Sequence, residues 1–321
     1  MLNLICRPIT EELAAYKQLF DETLNHNDPF MGQALAYIRN RSGKMMRPIL
    51  TLLIAKELGQ VEKSAYHCAI SLELLHTASL VHDDVVDEAK QRRGQPSVND
   101  TYDNKVAVLL GDYLLSLSLL QASLGGSNEA VNTIAQLGGT LAEGEIYQLT
   151  NITREEVSEE HYFHIIERKT AALFTACTRL GALSGRANQE FITVAERIGT
   201  IIGICFQIRD DIFDYYTEDI GKPTGNDMRE GKITLPAIYA ICNNPTPHVL
   251  SLVKKVKQGE ATPQEIEEII EFTKCNGGIE YAQEKMNELK QEAIKLLEHF
   301  KNTEIKEALK LYIEYVVDRK I

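Results

Sequence analysis

Apolar residues recur at three- and four-residue intervals along most of this chain, the spacing of a helix face. The segment "NDPFMGQALAYIRNRSG" shows how one such run is bounded. Asp28 is placed to cap it, Pro29 sits at the first helical position, and Ser42-Gly43 stops it. "RPILTLLIAKELG" opens on Pro48 and closes at Gly59, and a longer run extends from about Ser64 to Glu88. Then come "NKVAVLLGDYLLSLSLLQASL", "NEAVNTIAQLGGTLAEGEIYQLTN", "SEEHYFHIIERKTAALFTACTRLGALSG" and "EFITVAERIGTIIGICFQIRDDIFDYYTED". Two or three amphipathic helices, divided by "CNGG", complete the pattern. No period-2 strand and no solenoid repeat stands out, and Pro and Gly cluster only at "GKPTGND" and near "NNPTP". The expectation is one all-α domain over 1–321, with helices that are apolar nearly all round at its centre.

Charge and cysteine usage narrow the function classes. With 34 basic against 46 acidic residues the net charge is −12, which disfavours nucleic acid as a partner. An anionic substrate would need a local basic pocket. No run approaches ~18 uncharged apolar residues, so no transmembrane segment and no signal peptide is expected. The six cysteines form no CxxC pair and read as buried thiols of a reducing cytoplasm.

Within the apolar runs one acidic pattern occurs twice. "HDDVVD" (82–87) returns as "RDDIFD" (209–214), its first Asp displaced by 127 positions. On a helix, residues i and i+4 share a face. Asp83, Asp84 and Asp87 therefore form one acidic patch, and Asp210, Asp211 and Asp214 another. Like charges at that spacing repel, and in an apolar setting the cost grows unless cations offset it. A solvated charged face would explain one exposed cluster but not a duplicated one with apolar flanks. Hard carboxylates without sulfur suit Mg²⁺, which characteristically bridges carboxylates and phosphates. Phosphate-binding cations follow each patch or precede it: Arg92 and Arg93, Lys44 and Arg47, Lys169 beside Thr170, and Lys222 and Lys232.

The order of these pieces resembles the trans-prenyltransferases, polyprenyl diphosphate synthases that extend an allylic diphosphate with isopentenyl diphosphate. The resemblance runs through "GKMMRP" (43–48), "HTASLVHDDVVD" (76–87), "RRGQPSVN" (92–99), "VLLGDYLLS" (108–116), "AEGEIYQL" (142–149), "KTAALF" (169–174), "CFQIRDDIFD" (205–214) and "GKPTGNDMREGKITLP" (221–236). The C-terminal third matches loosely. The resemblance implies a helical bundle of the isoprenoid synthase type with a central cavity. It is greatest to bacterial synthases of long chains.

By position, the resemblance makes Asp83 and Asp87 ligands of Mg²⁺ on the allylic diphosphate, with Asp84 in support. Asp210 becomes a ligand of a further ion, with Asp211 and Asp214 around it, for about three ions per site. Arg92, Lys169, Thr170, Gln207 and Lys222, helped by Lys232, match the allylic positions, where farnesyl or geranyl diphosphate would bind. Gly43, Lys44, Arg47, His76 and Arg93 match the isopentenyl diphosphate pocket. A lone histidine is usually a satisfied core residue, but His76 lies seven residues before Asp83, on nearly the same helix face. A homodimer is also implied, and "AVLLGDYLLSLSLL" is apolar enough to serve its interface. The chemistry needs a dry site and no tuned general base, and the product would seek membranes.

Three other readings meet the letters less well. A terpene cyclase would carry Ser or Thr four residues into its second metal motif, where this chain has Asp214 or Tyr215. A di-iron carboxylate bundle needs two Glu-x-x-His pairs, and "ELLH" (73–76) is a single one. A silent subunit of a heteromeric synthase should lack motif residues that are intact here. Small Ala78 and Ser79, one turn before Asp83, leave room for a growing chain, with Ala122 and Ile134 as candidate floor residues. The product expected is long, although a farnesyl or geranylgeranyl diphosphate synthase is the alternative. The Gly138-Gly139 pair fits either close helix packing or a widened tunnel.

Overall fold

Asp28 caps its helix as expected, accepting from the Met31 N–H at 2.9 Å, and Pro29 opens the helix Pro29–Arg39. The following helix, Met46–Glu57, begins two residues before Pro48, because Met45 in the left-handed region turns the chain into it. The computed structural model describes residues 1–40, 43–92, 94–152, 157–216 and 224–318. Ser42, expected as part of a helix stop, lies outside them. The described residues are 81% helical, so the fold is all-α, with the architecture of the isoprenoid synthases.

The described residues divide into two compact units. The first comprises Met1–Gly139, Leu173–Gly199 and Leu297–Leu311. Its central pair is Lys63–Val86 and Asn104–Leu124, which lie along one another. Ser71 Oγ donates to the Ser118 carbonyl at 2.8 Å and Ser118 Oγ donates back to that of Ser71 at 2.7 Å. Small side chains that satisfy each other's backbone let these helices approach closely without burying an unpaired polar atom. Leu52, Leu53, Ile70, Leu72, Leu74 and Leu114 fill the core around them. Each such side chain contributes about 1.5–3 kcal/mol when fully buried.

The second unit comprises Thr140–Ala172, Thr200–Leu296 and Tyr312–Ile321. Ile201, Ile208, Ile238, Ile269 and Met286 are core residues there. Thr262 and Glu265 cap Pro263–Cys275 reciprocally, the Thr hydroxyl accepting from the Glu265 N–H and the Glu carboxylate from the Thr262 N–H.

Several expectations need correction. The C-terminal region after the second acidic patch holds Leu235–Asn243, Pro247–Lys257, Pro263–Cys275, Gly278–Leu296 and Thr303–Asp318, more than the two or three helices expected. The run 158–185 is interrupted: Glu159–Ile166 and Ala172–Ser184 flank a π-turn at Glu167–Ala171. There is also a minimal antiparallel hairpin, Gln91–Arg92 with Gln95–Pro96, each strand too short to show a period. Finally, Asn104–Leu124 and Gln189–Phe213 are long and apolar enough to cross a membrane by length and composition, contrary to expectation. Their uncharged runs break at Lys105, Asp112, Glu196 and Arg197, whereas their mean hydropathy stays high. Over half of the apolar stretch in Gln189–Phe213 is buried within the fold. All six cysteines are free thiols, but only Cys68, Cys177 and Cys205 are buried, which pushes their thiols up to about 12; Cys242 and Cys275 are exposed, against the expectation of buried thiols.

Candidate active site

The first acidic patch ends the Lys63–Val86 helix, and the Asp87 N–H bonds the Asp83 carbonyl at 2.8 Å, so the two stay one turn apart. Their surroundings separate the three carboxylates. Asp83 is partly exposed and Asp87 exposed, while Asp84 is buried. Arg92 offsets that buried charge: its Nε and Nη2 both reach Asp84 Oδ1 at 2.7 Å. The hairpin delivers Arg92 to this position. Asp84 therefore holds a cation, and Asp83 and Asp87 keep the accessible oxygens.

A cavity of about 310 Å³ in the first unit is lined by Gly43, Glu73, His76, Asp84 and Arg92, with Phe20, Ile38, Leu80 and Val98 as apolar walls. It brings together Gly43 and His76 from the expected isopentenyl diphosphate set, and Arg92 from the allylic set. Lys44 and Arg47 are not among its lining residues. Arg47 lies over the Phe174 ring at 5.3 Å, and its Nε is buried without a hydrogen-bond partner among the described residues. Arg93 lies outside the described residues.

The second patch lies in the other unit, on Gln189–Phe213. Asp210 is exposed, Asp211 buried and Asp214 half-buried. Asp214 accepts from the Asn226 N–H at 2.9 Å and the Asp227 N–H at 3.0 Å, which fixes the start of the short helix Asn226–Arg229. Each of its oxygens retains a lone pair. Asp211 accepts from Tyr162 Oη at 2.6 Å and from Gln207 Nε2 at 2.7 Å. Gln207 Oε1 in turn accepts from the Thr170 hydroxyl at 2.7 Å. Burial, and next the charge of Asp227, push the Asp211 carboxyl well above its ordinary range; the bonds from Tyr162 and Gln207 pull the other way.

Lys169 and Thr170 sit on the π-turn, a distortion that recurs at functional sites. Lys169 pairs with Glu145 at 2.5 Å and donates to Gln148 at 3.4 Å. Gly144 permits that approach, since a Cβ there would lie 2.9 Å from Arg168 Cβ and 3.1 Å from the Lys169 nitrogen. A cavity of about 240 Å³ in this unit is lined by Lys169, Thr170, Gln207, Asp211 and Lys232. It thus unites most of the expected allylic residues with one aspartate of the second patch. Lys222 lies outside the described residues.

Tyr162, Gln148 and Asp227 also line this cavity, and sequence reasoning nominated none of them. Burial, with the nearby charge of Asp214 adding to it and Lys232 opposing, raises Asp227 to about 7. The only signals available were "AEGEIYQL" and "GKPTGND", which point to segments rather than side chains.

Among the described residues no three or more His, Cys, Asp or Glu side chains converge as an all-protein metal cage would. Mg²⁺ seldom needs one, because it takes one or two carboxylates and completes its shell with water and substrate phosphate. The accessible oxygens of Asp83, Asp87 and Asp210, with the spare lone pairs of Asp214, fit that role.

The helical fold and the two aspartate patches, each with cations in its own unit, have the features of a diphosphate-handling helical transferase. A model of the polyprenyl synthetase family matches residues 28–273, and the chain belongs to that family of prenyltransferases. It is 33% identical over 298 residues to an octaprenyl diphosphate synthase of Haemophilus influenzae, covering 92% of this chain and 90% of that protein. The solved geranylgeranyl pyrophosphate synthase of Bacteroides thetaiotaomicron superposes with a TM-score of 0.88 at 47% identity, over 99% of both chains. A polyprenyl synthase from Caulobacter crescentus, solved with calcium and isoprenyl diphosphate, superposes at 0.92 with 27% identity, over 100% of this chain and 98% of its own. The family uses isopentenyl and allylic diphosphates and a divalent cation, Mg²⁺.

Proposed function

We infer that this chain is an all-trans polyprenyl diphosphate synthase, adding isopentenyl diphosphate head to tail onto farnesyl or geranyl diphosphate. The observation that carries this is the cavity where Lys169, Thr170, Gln207, Asp211 and Lys232 meet. Lys169 and Lys232, with Lys222, would hold the departing diphosphate by charge, and Thr170 and Gln207 would orient the allylic end. Gly43, Lys44, Arg47, His76 and Arg93 would hold isopentenyl diphosphate. The allylic carbon–oxygen bond breaks, the double bond of isopentenyl diphosphate attacks the resulting allylic cation, and a proton then leaves to the released diphosphate. Apolar cavity walls would keep water from the allylic cation. Bound Mg²⁺, about three ions held by Asp83, Asp87, Asp210 and Asp214, would supply positive charge against the leaving group. No side chain serves as a tuned base.

Incubating the purified protein with Mg²⁺, isopentenyl diphosphate and farnesyl diphosphate, then separating products by chain length, tests the activity. The 47% identity to the geranylgeranyl synthase favours a second reading, a shorter product, and the same separation decides between them. The substrate assignment has its own test. Lys44→Ala and Arg47→Ala should chiefly raise KM for isopentenyl diphosphate, and Lys222→Ala should lower allylic turnover. Equal effects of all three on one substrate's KM would show the pockets to be wrongly divided.

The enzyme would be a cytoplasmic homodimer. Leu109, Leu120 and Leu124 are 68%, 52% and 55% exposed on the Asn104–Leu124 helix, and they share a face with Tyr113 and Ser116. Such a stripe marks an interaction surface, and a two-fold contact would bury it against its own copy. Light scattering should give twice the chain mass, falling to one chain in Leu120→Glu. A wild-type mass of one chain would remove the dimer.

A further inference from the structure

Tyr162 lies seven residues before Lys169 in an aromatic stretch, and it is buried. Its phenol begins an unbroken series of hydrogen bonds: Tyr162 Oη to Asp211 Oδ2 at 2.6 Å, Gln207 Nε2 to Asp211 Oδ1 at 2.7 Å, and Thr170 Oγ1 to Gln207 Oε1 at 2.7 Å. All four residues line the same cavity.

The direction of each bond follows from what each group can do. In its ionised form, which the bonds from Tyr162 and Gln207 favour against burial, Asp211 only accepts, so both the phenol and the amide NH₂ donate to it. With its NH₂ turned to Asp211, Gln207 must present its carbonyl oxygen to Thr170. The Thr170 hydroxyl must then donate, which commits its single hydrogen. Its oxygen is left facing the cavity with lone pairs only. Were Gln207 reversed, Thr170 would accept from the amide and turn its hydrogen outward.

We propose that Tyr162 is a positioning residue: by holding Asp211 it sets the orientation of the Gln207 amide, and so makes Thr170 an acceptor toward the substrate. This rests on the allylic transfer inferred above, in which positive charge develops on the substrate carbon. An oxygen that offers lone pairs stabilises such charge, whereas a hydroxyl hydrogen opposes it. Without the phenol one oxygen of a buried carboxylate loses its donor, and Asp211 is no longer fixed against Gln207.

The test is a double-mutant cycle, with turnover measured with Mg²⁺, isopentenyl diphosphate and farnesyl diphosphate. Tyr162→Phe should lower kcat by about 10–100-fold, the range for residues that orient a functional group from behind. The KM for isopentenyl diphosphate should stay within about twofold, because that substrate is held elsewhere. In a Thr170→Val background Tyr162→Phe should cost nothing further, because the hydroxyl it acts through is gone. In a Thr170→Ser background, which keeps a hydroxyl, the Tyr162→Phe loss should return. Asp211→Asn, close in shape but offering a donor, should show the same coupling to Thr170 and serves if Tyr162→Phe does not fold. Equal fold losses with Thr170 intact and in the Thr170→Val background would mean that Tyr162 only supports the structure, and the proposal would fall. Full turnover in Tyr162→Phe would overturn it too. A wild-type protein inactive with these substrates would instead remove the allylic-transfer reading, and the proposal with it.

Discussion

Asp83→Ala and Asp210→Ala should each lower turnover by at least about 10²–10³-fold while leaving helical content near that of the wild type. The expected size comes from the reaction. A departing diphosphate carries several negative charges, and losing a carboxylate that would hold the Mg²⁺ neutralising them acts on the transition state more than on binding. The unchanged helicity follows from exposure: both residues reach solvent, so neither variant opens a buried cavity. Asp84→Ala and Asp211→Ala should behave differently. Asp84 is buried against Arg92, and Asp211 against Tyr162 and Gln207, so truncation strands their partners and lowers thermal stability as well as turnover. Steady-state kinetics paired with circular dichroism separates the two classes. Excess chelator should abolish activity, and added Mg²⁺ should restore it. Undiminished turnover in chelator would leave the four exposed or half-exposed aspartates without the metal role given to them.

The division between those classes marks how far the letters reach. "HDDVVD" and "RDDIFD" are visible as acidic patches because the i, i+4 rule needs only spacing. Which aspartate turns inward depends on what packs on the helix. For Asp84 that is Arg92, brought round by a hairpin with two residues per strand, too short to leave a periodic trace. For Asp211 it is Tyr162, which in "HYFH" reads like any core aromatic. The π-turn that carries Lys169 and Thr170 is hidden for a similar reason. It adds a single residue to one turn, and an apolar pattern continues across it almost unchanged. The helix ends were more legible where caps are chemical, as at Asp28, than where the backbone alone turns, as at Met45. The loosely matching C-terminal region proved to be several short helices, whose boundaries depend on Pro247, Pro263 and the "CNGG" turn.

The product should be a long all-trans chain, about six isoprene units or more and centred near eight, since each helical turn of ~5.4 Å clears roughly one unit. The structure supports the premises within the first unit. Ala78 is buried and Ser79 is partly so, its hydroxyl turned back onto the His76 carbonyl at 2.9 Å. Neither offers bulk one turn from Asp83. One turn further along the same helix stands Leu75, also buried. Opposite it a Cβ on Gly138 would meet only Leu75 Cδ1, at 3.9 Å, and one on Gly139 would meet nothing within 4 Å. Close helix packing therefore requires neither glycine, which weighs against the blander explanation of that pair. Ile134, one turn before Gly138 on the same helix face, is fully buried, as is Ala122. Side chains there would end the path proposed to pass Ala78 and Ser79. Ala78→Phe or Ser79→Phe should accordingly shorten the product to about four or five units, and Ile134→Ala should lengthen it by about a turn's worth of chain. Chromatography of the dephosphorylated alcohols reads all three outcomes against the wild type. A wild-type product of geranylgeranyl length, the length named for the Bacteroides relative, would refute this account. The stop would then have to come from a residue other than those named.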